Sequence, residues 1–514
     1  MLPYLNSTNR RTGKQVVAFR GINYSDQTQD GDLRDSLNLS ARRYPYLTTR
    51  HGRTKQEGYE GCTALTARGE LVMVRGTDLL YDGKVVGTVT EGEKQFAVVN
   101  TKMVIWPDKV YLDLTDQTVK PMSAKISGTG IKITVPENGL PVLTVTGWGD
   151  LTEKFNVGDG ITISGCTAKA ENNKDVTVKS ITATTITVKE KALVEATETG
   201  EITLERRVPD MDYICESENR LWGCSNDAQT IYASALGDPT NFFVYDGVAT
   251  DGYAVAVGTE GDFTGCCKLS SSILFWKESK LHKVLGSYPA EYSMYTYDIE
   301  GLQKGCHKSV QIINEVLYYM GLHGVYAYSG GIPSLISANF GDRLLTDAVA
   351  GTDGDSYYLS VLEGEKRHLM VYETKSGIWM HEDDTRALDF ARVGKDVYLL
   401  DSGGEVWLMD SRQDDYDMEW MAQFTPFYET IQGRKRYTKL LLRMELPKGA
   451  WMRAEVCFDD GKWREVGKLL GREQDSIPFQ IPINRCDRFE LRLSGCGPCT
   501  ILAMMLEYQV GSDV

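Results

Sequence analysis

The chain has 514 residues, of which 42% are hydrophobic and 25% charged, and its 71 acidic against 56 basic residues leave a net charge of −15. That length allows two to four domains with a sizeable core. The charge argues against tight nucleic-acid binding over the whole surface, and the longest apolar run, Cys499 to Leu506, is too short to cross a bilayer as a helix.

The first residues, MLPYLNSTNRR, are polar where a signal peptide has its apolar core, so the chain is expected to be made and kept in a cytoplasm with its eleven cysteines reduced. The cysteines are scattered and odd in number, and several sit inside strand patterns, so they read as small buried apolar residues. Residues 1–58 show little regular pattern. Residues 1–56 carry ten Lys and Arg against four Asp, a local net charge of +6, opposite in sign to the whole. This predicts a basic N-terminal arm that docks onto its own propeller or onto a neighbouring subunit. Its arginines are interleaved with tyrosines and acids and form no run, which speaks against DNA binding.

From about 59 to 123 the grammar becomes hairpins: GELVMVRGTDLLYDGKVVG (69–87) and KMVIWPDKVYLDLTD (102–116). From 124 to 207 it changes again, to Thr- and Val-rich stretches such as FNVGDGITISGC and KDVTVKSITATTITVKEKALV, with few large aromatics beyond Trp148 and Phe155. Alternation of threonine with apolar residues over Thr177 to Val188 predicts a half-buried antiparallel strand pair. We read this segment as a small β-barrel inserted between hairpins, expected to contact a protein, because no aromatic platform for nucleic acid or sugar is evident.

Hairpins resume from 208 to 412. The clearest is NRLWGCSNDAQTIYASALGDPTNFF (219–243), where Arg220 to Cys224 and Thr230 to Ala235 are strands around a Ser225-Asn226-Asp227 turn. SSILFWKESKLHKVLGS (271–287), EVLYYMGLHGVYAYSGG (315–331), HLMVYETKSGIWMHED (368–383) and KDVYLLDSGGEVWLMDS (395–411) repeat the pattern. A lone hairpin is marginal in water, so seven such units must stack on one another. Imperfect repetition at this period, built only of hairpins, predicts an all-β chain with a β-propeller of about seven blades rather than one two-sheet sandwich. After an acidic linker at Gln413 to Asp417, residues 413–514 read as a C-terminal β-sandwich.

Little looks like chemistry. Cys496-Gly497-Pro498-Cys499 has the tetrapeptide of thioredoxins but lacks the following long helix and most of the fold that should come after it, so it reads as a turn between the last two strands. Glu382, Asp383 and Asp384, after Trp379 and His381, offer a metal or general-acid cluster, but consecutive loop carboxylates read as solvated turn residues. Phe458-Asp459-Asp460-Gly461-Lys462-Trp463 lacks the serine of an aspartate box and reads as a hairpin turn. His51, His282, His307, His323 and His368 make no ligand-spaced pair near a cysteine cluster, and there is no phosphate loop or nucleophile elbow. No catalytic residue, metal or cofactor is expected.

The stretch NRLWG…IYASALGDPTNF (219–242) resembles a segment of double-stranded DNA bacteriophage tail proteins, in which a propeller subunit forms part of a ring at the nozzle or hub below the portal. The N-terminal FRGINY…DGDLRDSLNLSARRYPYLTTR and the ending PINRCDRFELRLSGCGPCTILAMMLEYQVGS are similar to phage structural proteins, and the inserted barrel resembles an insertion of some nozzle propellers. The resemblance covers about half the chain and includes no catalytic motif. It implies a virion structural protein, assembled in the bacterial host cytoplasm, forming a homo-oligomeric ring in the tail or neck. Its partners would be other tail, neck or portal proteins, and double-stranded DNA would pass without specific binding. Arg42, Arg43, Arg50 and Arg53 are expected as subunit contacts. The alternatives are a peripheral receptor- or glycan-binding virion protein, or a propeller glycan-degrading enzyme, which needs converging paired carboxylates or a tyrosine with an arginine cluster.

Overall fold

The computed structural model describes residues 12–189, 191, 193–428, 434–471 and 476–510. The far N-terminus of the expected arm, two positions late in the expected barrel, and 429–433, 472–475 and 511–514 of the expected sandwich lie outside these residues. Among those described there is no α-helix, only five single-turn 3-10 segments, and no helix is long and apolar enough to cross a membrane.

The chain is all-β and of the β-propeller class. Seven four-stranded antiparallel sheets, here blades 1 to 7, span 62–88, 95–121, 213–256, 265–298, 311–335, 345–383 and 387–408. Each hairpin of the sequence pattern falls in its own blade. The reason is local: turns with Asn, Asp or Gly at positive φ, such as Asn100, Asp82 and Gly377, join strands whose β-branched and aromatic residues bury against the next sheet. The chain divides into two compact units, 1–71 with 308–514, and 72–307.

The second unit holds blades 2, 3 and 4, the strands of blade 1 beyond Leu71, and the barrel. Blades 2 and 3 share a core of Val104, Trp106, Met122, Leu221 and Phe242, and blades 3 and 4 one of Trp222, Ile231, Phe263 and Phe275. The barrel is a closed six-stranded sheet running from Ala124–Thr134 to Ala196–Arg206, and these two longest strands pair with each other. Its sixteen-residue core includes Ile131, Phe155, Ile163, Val178, Ile186 and Leu204. Fully burying one aliphatic side chain of this kind contributes about 1.5–3 kcal/mol. Trp148 is no platform: its indole lies over Gly128, where a Cβ would come within 2.4 Å of Nε1, and Nε1 donates to the Thr129 carbonyl at 3.0 Å.

The first unit holds blades 5, 6 and 7 and the β-sandwich. One six-stranded sheet of the sandwich is built on Lys435–Glu445 and Thr500–Val510, the other on Glu419–Phe424, Trp451–Cys457 and Glu490–Cys496. Inward residues alternate along the strands, with Tyr437, Leu440, Leu442 and Met444 on one and Trp420, Ala422 and Phe424 on another. Tyr437 stacks on Phe489 with ring centroids 4.0 Å apart. The Cys496–Cys499 tetrapeptide is the turn between Glu490–Cys496 and Thr500–Val510, with Gly497 at φ 86°. Burial pushes the Cys499 thiol well up, the reverse of a redox-active thiolate.

The described part of the expected arm, 12–58, lies against its own chain in short strands that pair with the sandwich and with blade 7. Thr12–Val16 pairs with Thr500–Val510, Asp32–Leu37 with Glu419–Phe424, and Leu47–Thr49 again with Thr500–Val510. Thr54–Lys55 then completes blade 7 against Val406–Leu408. These strands escaped a pattern reading because they are two to six residues long and their partners lie at the far end of the chain.

His282 in blade 4 supplies a test of the second unit. It is fully buried between Thr259 Oγ1 at 3.0 Å and Thr296 Oγ1 at 2.9 Å. Burial first, then Lys277 and Lys280, lower its imidazole from 6.5 to about 4. The unfolded chain therefore takes up this proton before the folded one. Its contribution to stability is complete above pH 6.5, declines as pH falls toward about 4, and is constant below that. Thermal melts of His282→Gln should lose this part of the pH slope; a slope equal to that of the wild type would show that the group does not titrate as described.

Candidate functional site

Three of the four arginines singled out in the sequence line one cleft of about 320 Å³ in the first unit, together with His51, Tyr358, Glu373 and Asp410. Arg42 follows the short strand Leu39–Ser40, in a turn closed by Tyr44 N–H donating to the Ala41 carbonyl at 2.9 Å. Its guanidinium donates to Tyr358 Oη and Asp353, contacts Asp410 Oδ2 at 3.2 Å, and lies 3.5 Å from Glu373 Oε1 through Nε. Asp353 is fixed in the turn before Ser356–Glu363, accepting from Asp355 N–H at 2.9 Å and Ser356 N–H at 2.7 Å. Glu373 sits directly across from Ser356, whose hydroxyl donates to Oε2 at 2.9 Å.

The electrostatics follow from burial and from that one cation. Burial alone would lower the Arg42 guanidinium, but Tyr358 and the carboxylates of Asp353, Glu373 and Asp410 outweigh it and hold it above its ordinary value. Burial raises the Glu373 carboxyl despite Arg42 and Ser356, and it raises the Tyr358 phenol. At Asp410 burial opposes the charge, yet Arg412 N–H, His51 and Arg42 keep the carboxyl below its usual range. A raised and a lowered carboxyl side by side is a pattern found at acid–base sites. Here the guanidinium of Arg42 bridges them, filling the gap a scissile bond would need.

Arg50 and Arg53 form a second node. Arg50 Nε lies 3.0 Å from Glu382 Oε1, and Arg53 Nη1 2.8 Å from Asp383 Oδ2. Glu382 and Asp383, expected in a solvated turn, close the outer strand Ile378–Asp383 of blade 6, with Glu382 only 5% exposed; Asp384 alone is solvated. Arg43 differs from the other three. Its side chain is 58% exposed and, among the described residues, meets only Glu445 at 4.0 Å and Thr500 Oγ1 at 3.4 Å. The described partners of Arg42, Arg50 and Arg53 thus belong to their own chain. The carboxylates that receive Arg42 carry no sequence signal, since Asp353 and Glu373 lie twenty residues apart in blade 6 and Asp410 follows blade 7.

The phage-like stretch lies in the other unit and works as a joint. Arg220, 1% exposed, donates to the carbonyls of Ser234 at 2.8 Å, Asp251 and Ala249. Asn219 and Asn100 exchange hydrogen bonds, 2.7 Å from Asn219 Nδ2 to Asn100 Oδ1 and 2.9 Å from Asn100 N–H to Asn219 Oδ1. Asp238 pairs with Lys102 of blade 2 at 3.0 Å; burial opposes its charge, but Lys102 keeps its carboxyl low. Asn241 reaches the barrel, accepting from Gly160 N–H at 3.0 Å and donating to the Gly158 carbonyl at 2.9 Å.

Comparison with known proteins adds little. No family model matches the chain, and no curated protein does. Among solved structures it is similar to an exo-β-1,3-galactanase from Phanerochaete chrysosporium (8% identity over 56% of this chain and 92% of that one, TM-score 0.22). It is also similar to Hsv2 of Kluyveromyces lactis (9% identity, 63% and 94%, TM-score 0.26) and to the extracellular domain of a one-component system from B. thetaiotaomicron (8%, 92% and 98%, TM-score 0.22). Likenesses this distant say nothing about substrate or partner.

Two measurements check these nodes. Arg53→Met leaves Glu382 and Asp383 with Arg50 but without their second cation and should cost about 1–3 kcal/mol, whereas Arg43→Glu should stay within about 0.5 kcal/mol of the wild type; equal thermal melts for the two would remove the distinction. Asn241→Ala should cost about 1–3 kcal/mol and speed hydrogen exchange at 158–163, with Ser272–Lys277 of blade 4 unchanged. Uniform exchange across both segments would show that Asn241 is not the joint.

Proposed function

We propose that this chain is a non-catalytic virion structural protein, a ring-forming subunit of a bacteriophage tail or neck that joins neighbouring tail proteins around the path of the DNA. One observation carries the reading: the residues that resemble the phage segment are consumed in joining modules. Asn219 and Asp238 hold blade 2 to blade 3, and Asn241 holds the barrel to blade 3. Side chains used this way build a rigid body and are not free for substrate. The Arg42 bridge between Glu373 and Asp410 supports the same non-catalytic reading. The net charge of −15 suits a subunit past which a duplex slides without sticking. Arg43, with its exposed guanidinium, is the one member of the arginine set left to meet a neighbour.

A second reading, a receptor- or glycan-binding virion protein, is favoured by a separate polar cleft of about 970 Å³ in the first unit, lined by Asn23, Tyr24, Gln27, Tyr44, Asn339 and Asp342. Amides and a carboxylate beside a half-exposed tyrosine are groups suited to sugar hydroxyls and ring faces.

Gold-labelled antibody on intact particles, combined with the mass of the purified chain in solution, separates the two. Label at the neck or tail axis, with rings in solution or only on the particle, is the expected result, and Arg43→Glu should then reduce ring formation without changing the melt. Label on peripheral fibres would move the assignment to the polar cleft. Absence of label from every particle would overturn both.

A further inference from the structure

His368 and His381 are thirteen residues apart on the neighbouring strands Lys366–Glu373 and Ile378–Asp383 of blade 6, and a register shift between Leu369 and Met370 turns them toward each other. His368 Nδ1 lies 3.2 Å from His381 Nε2. Asp384, just past the end of the second strand, brings Oδ1 to 3.2 Å from His381 Nε2 and 3.7 Å from His368 Nδ1. Three donor atoms of the types that bind zinc therefore form a nearly equilateral triangle.

The size of that triangle is informative. Tetrahedral Zn²⁺ with bonds of about 2.0–2.1 Å to nitrogen and oxygen holds its ligand atoms about 3.3 Å apart. The outer nitrogens are also placed as a metal site needs them. His381 Nδ1 faces Asp35 Oδ1 at 3.1 Å, and His368 Nε2 faces Glu363 Oε2 at 3.5 Å, with Glu363 itself held by Arg343 at 2.6 Å. A carboxylate on the outer nitrogen draws the ring proton there and leaves the inner lone pair for a metal. With the ring protons on the outer nitrogens, the two inner lone pairs face each other and a carboxylate, an arrangement that a bound cation relieves.

We propose that His368, His381 and Asp384 bind a divalent transition-metal ion of the Zn²⁺ type, with Asp35 and Glu363 orienting the two imidazoles. Three protein ligands leave a fourth position for water or an incoming ligand. The Asp384 side chain is 76% exposed, so the ion is reached from solvent on that side. Because Asp35 belongs to the strand Asp32–Leu37 of the sandwich while both histidines belong to blade 6, the ion also fastens the N-terminal segment to that blade. The proposal is independent of the virion reading, and its test uses no particle.

The experiment is titration of the purified, chelator-treated full chain with Zn²⁺ by calorimetry and with Co²⁺ by visible absorption. One equivalent of Zn²⁺ should bind, Co²⁺ should give the intense bands of a tetrahedral centre, and Zn²⁺ should raise the melting temperature in a way reversed by chelator. Asp384→Asn, at an exposed position, should keep the metal-free melt of the wild type yet bind Zn²⁺ at least tenfold more weakly. Asp35→Asn should weaken binding about 10–100-fold. A folded wild type that binds no Zn²⁺, a Co²⁺ spectrum without tetrahedral bands, or full affinity in a folded Asp384→Asn/His368→Gln double variant would each overturn the proposal. The cluster would then be a hydrogen-bonded pair sharing a proton.

Discussion

A β-strand without a neighbour leaves its N–H and C=O groups unpaired, and this requirement governs the first unit. Both sheets of the sandwich, and blade 7, take strands from the N-terminal segment. Thr425 Oγ1 donates to the Asp32 carbonyl across 393 residues of sequence, so the fold of this unit depends on its chain ends meeting. With the N-terminal strands in place, the outer strand of blade 6 is covered too: Ser36 Oγ donates to the His381 carbonyl at 2.8 Å and accepts from His381 N–H at 3.0 Å. Pairing protects an edge that would otherwise recruit another chain.

Docking a basic segment on acidic blades sets the polar interior. Arg42, Arg50 and Arg53 enter with charges that cannot be left alone in a partly buried setting, and carboxylates of blade 6 and of the loop after blade 7 meet them. The same contact surface brings Asp35 to His381. The interaction that closes the sheets therefore also places the residues of the proposed metal site, and a structural role for that ion follows from its position.

The second unit is organised by different means. Its barrel has a complete apolar core of its own and is attached through short polar contacts such as Asn241 to Gly158 and Gly160. A self-sufficient module held by a few directional bonds is suited to presenting a contact surface without disturbing the blades beside it.

The seven hairpins, the barrel segment and the last strands were legible because each rests on local chemistry. Alternation such as that of Thr185 to Val188 and turn residues such as Ser225-Asn226-Asp227 act within a few residues of themselves. The nature of the tetrapeptide at Cys496 was legible for the same reason, since Gly497 and Pro498 mark a turn. The N-terminal strands, the carboxylate partners of Arg42 and the meeting of His368 with His381 were not. A six-residue strand such as Asp32–Leu37 has too few positions to show a period, and a bulge at Leu369 and Met370 shifts a register that no composition records. Glu382 reads as one more loop acid until Arg50 arrives from more than 300 residues away to bury it. What the sequence by itself determined is every element whose cause is local. What only the tertiary structure decided is which distant edges and charges satisfy one another, because that pairing is settled by the burial of polar groups from both ends of the chain at once.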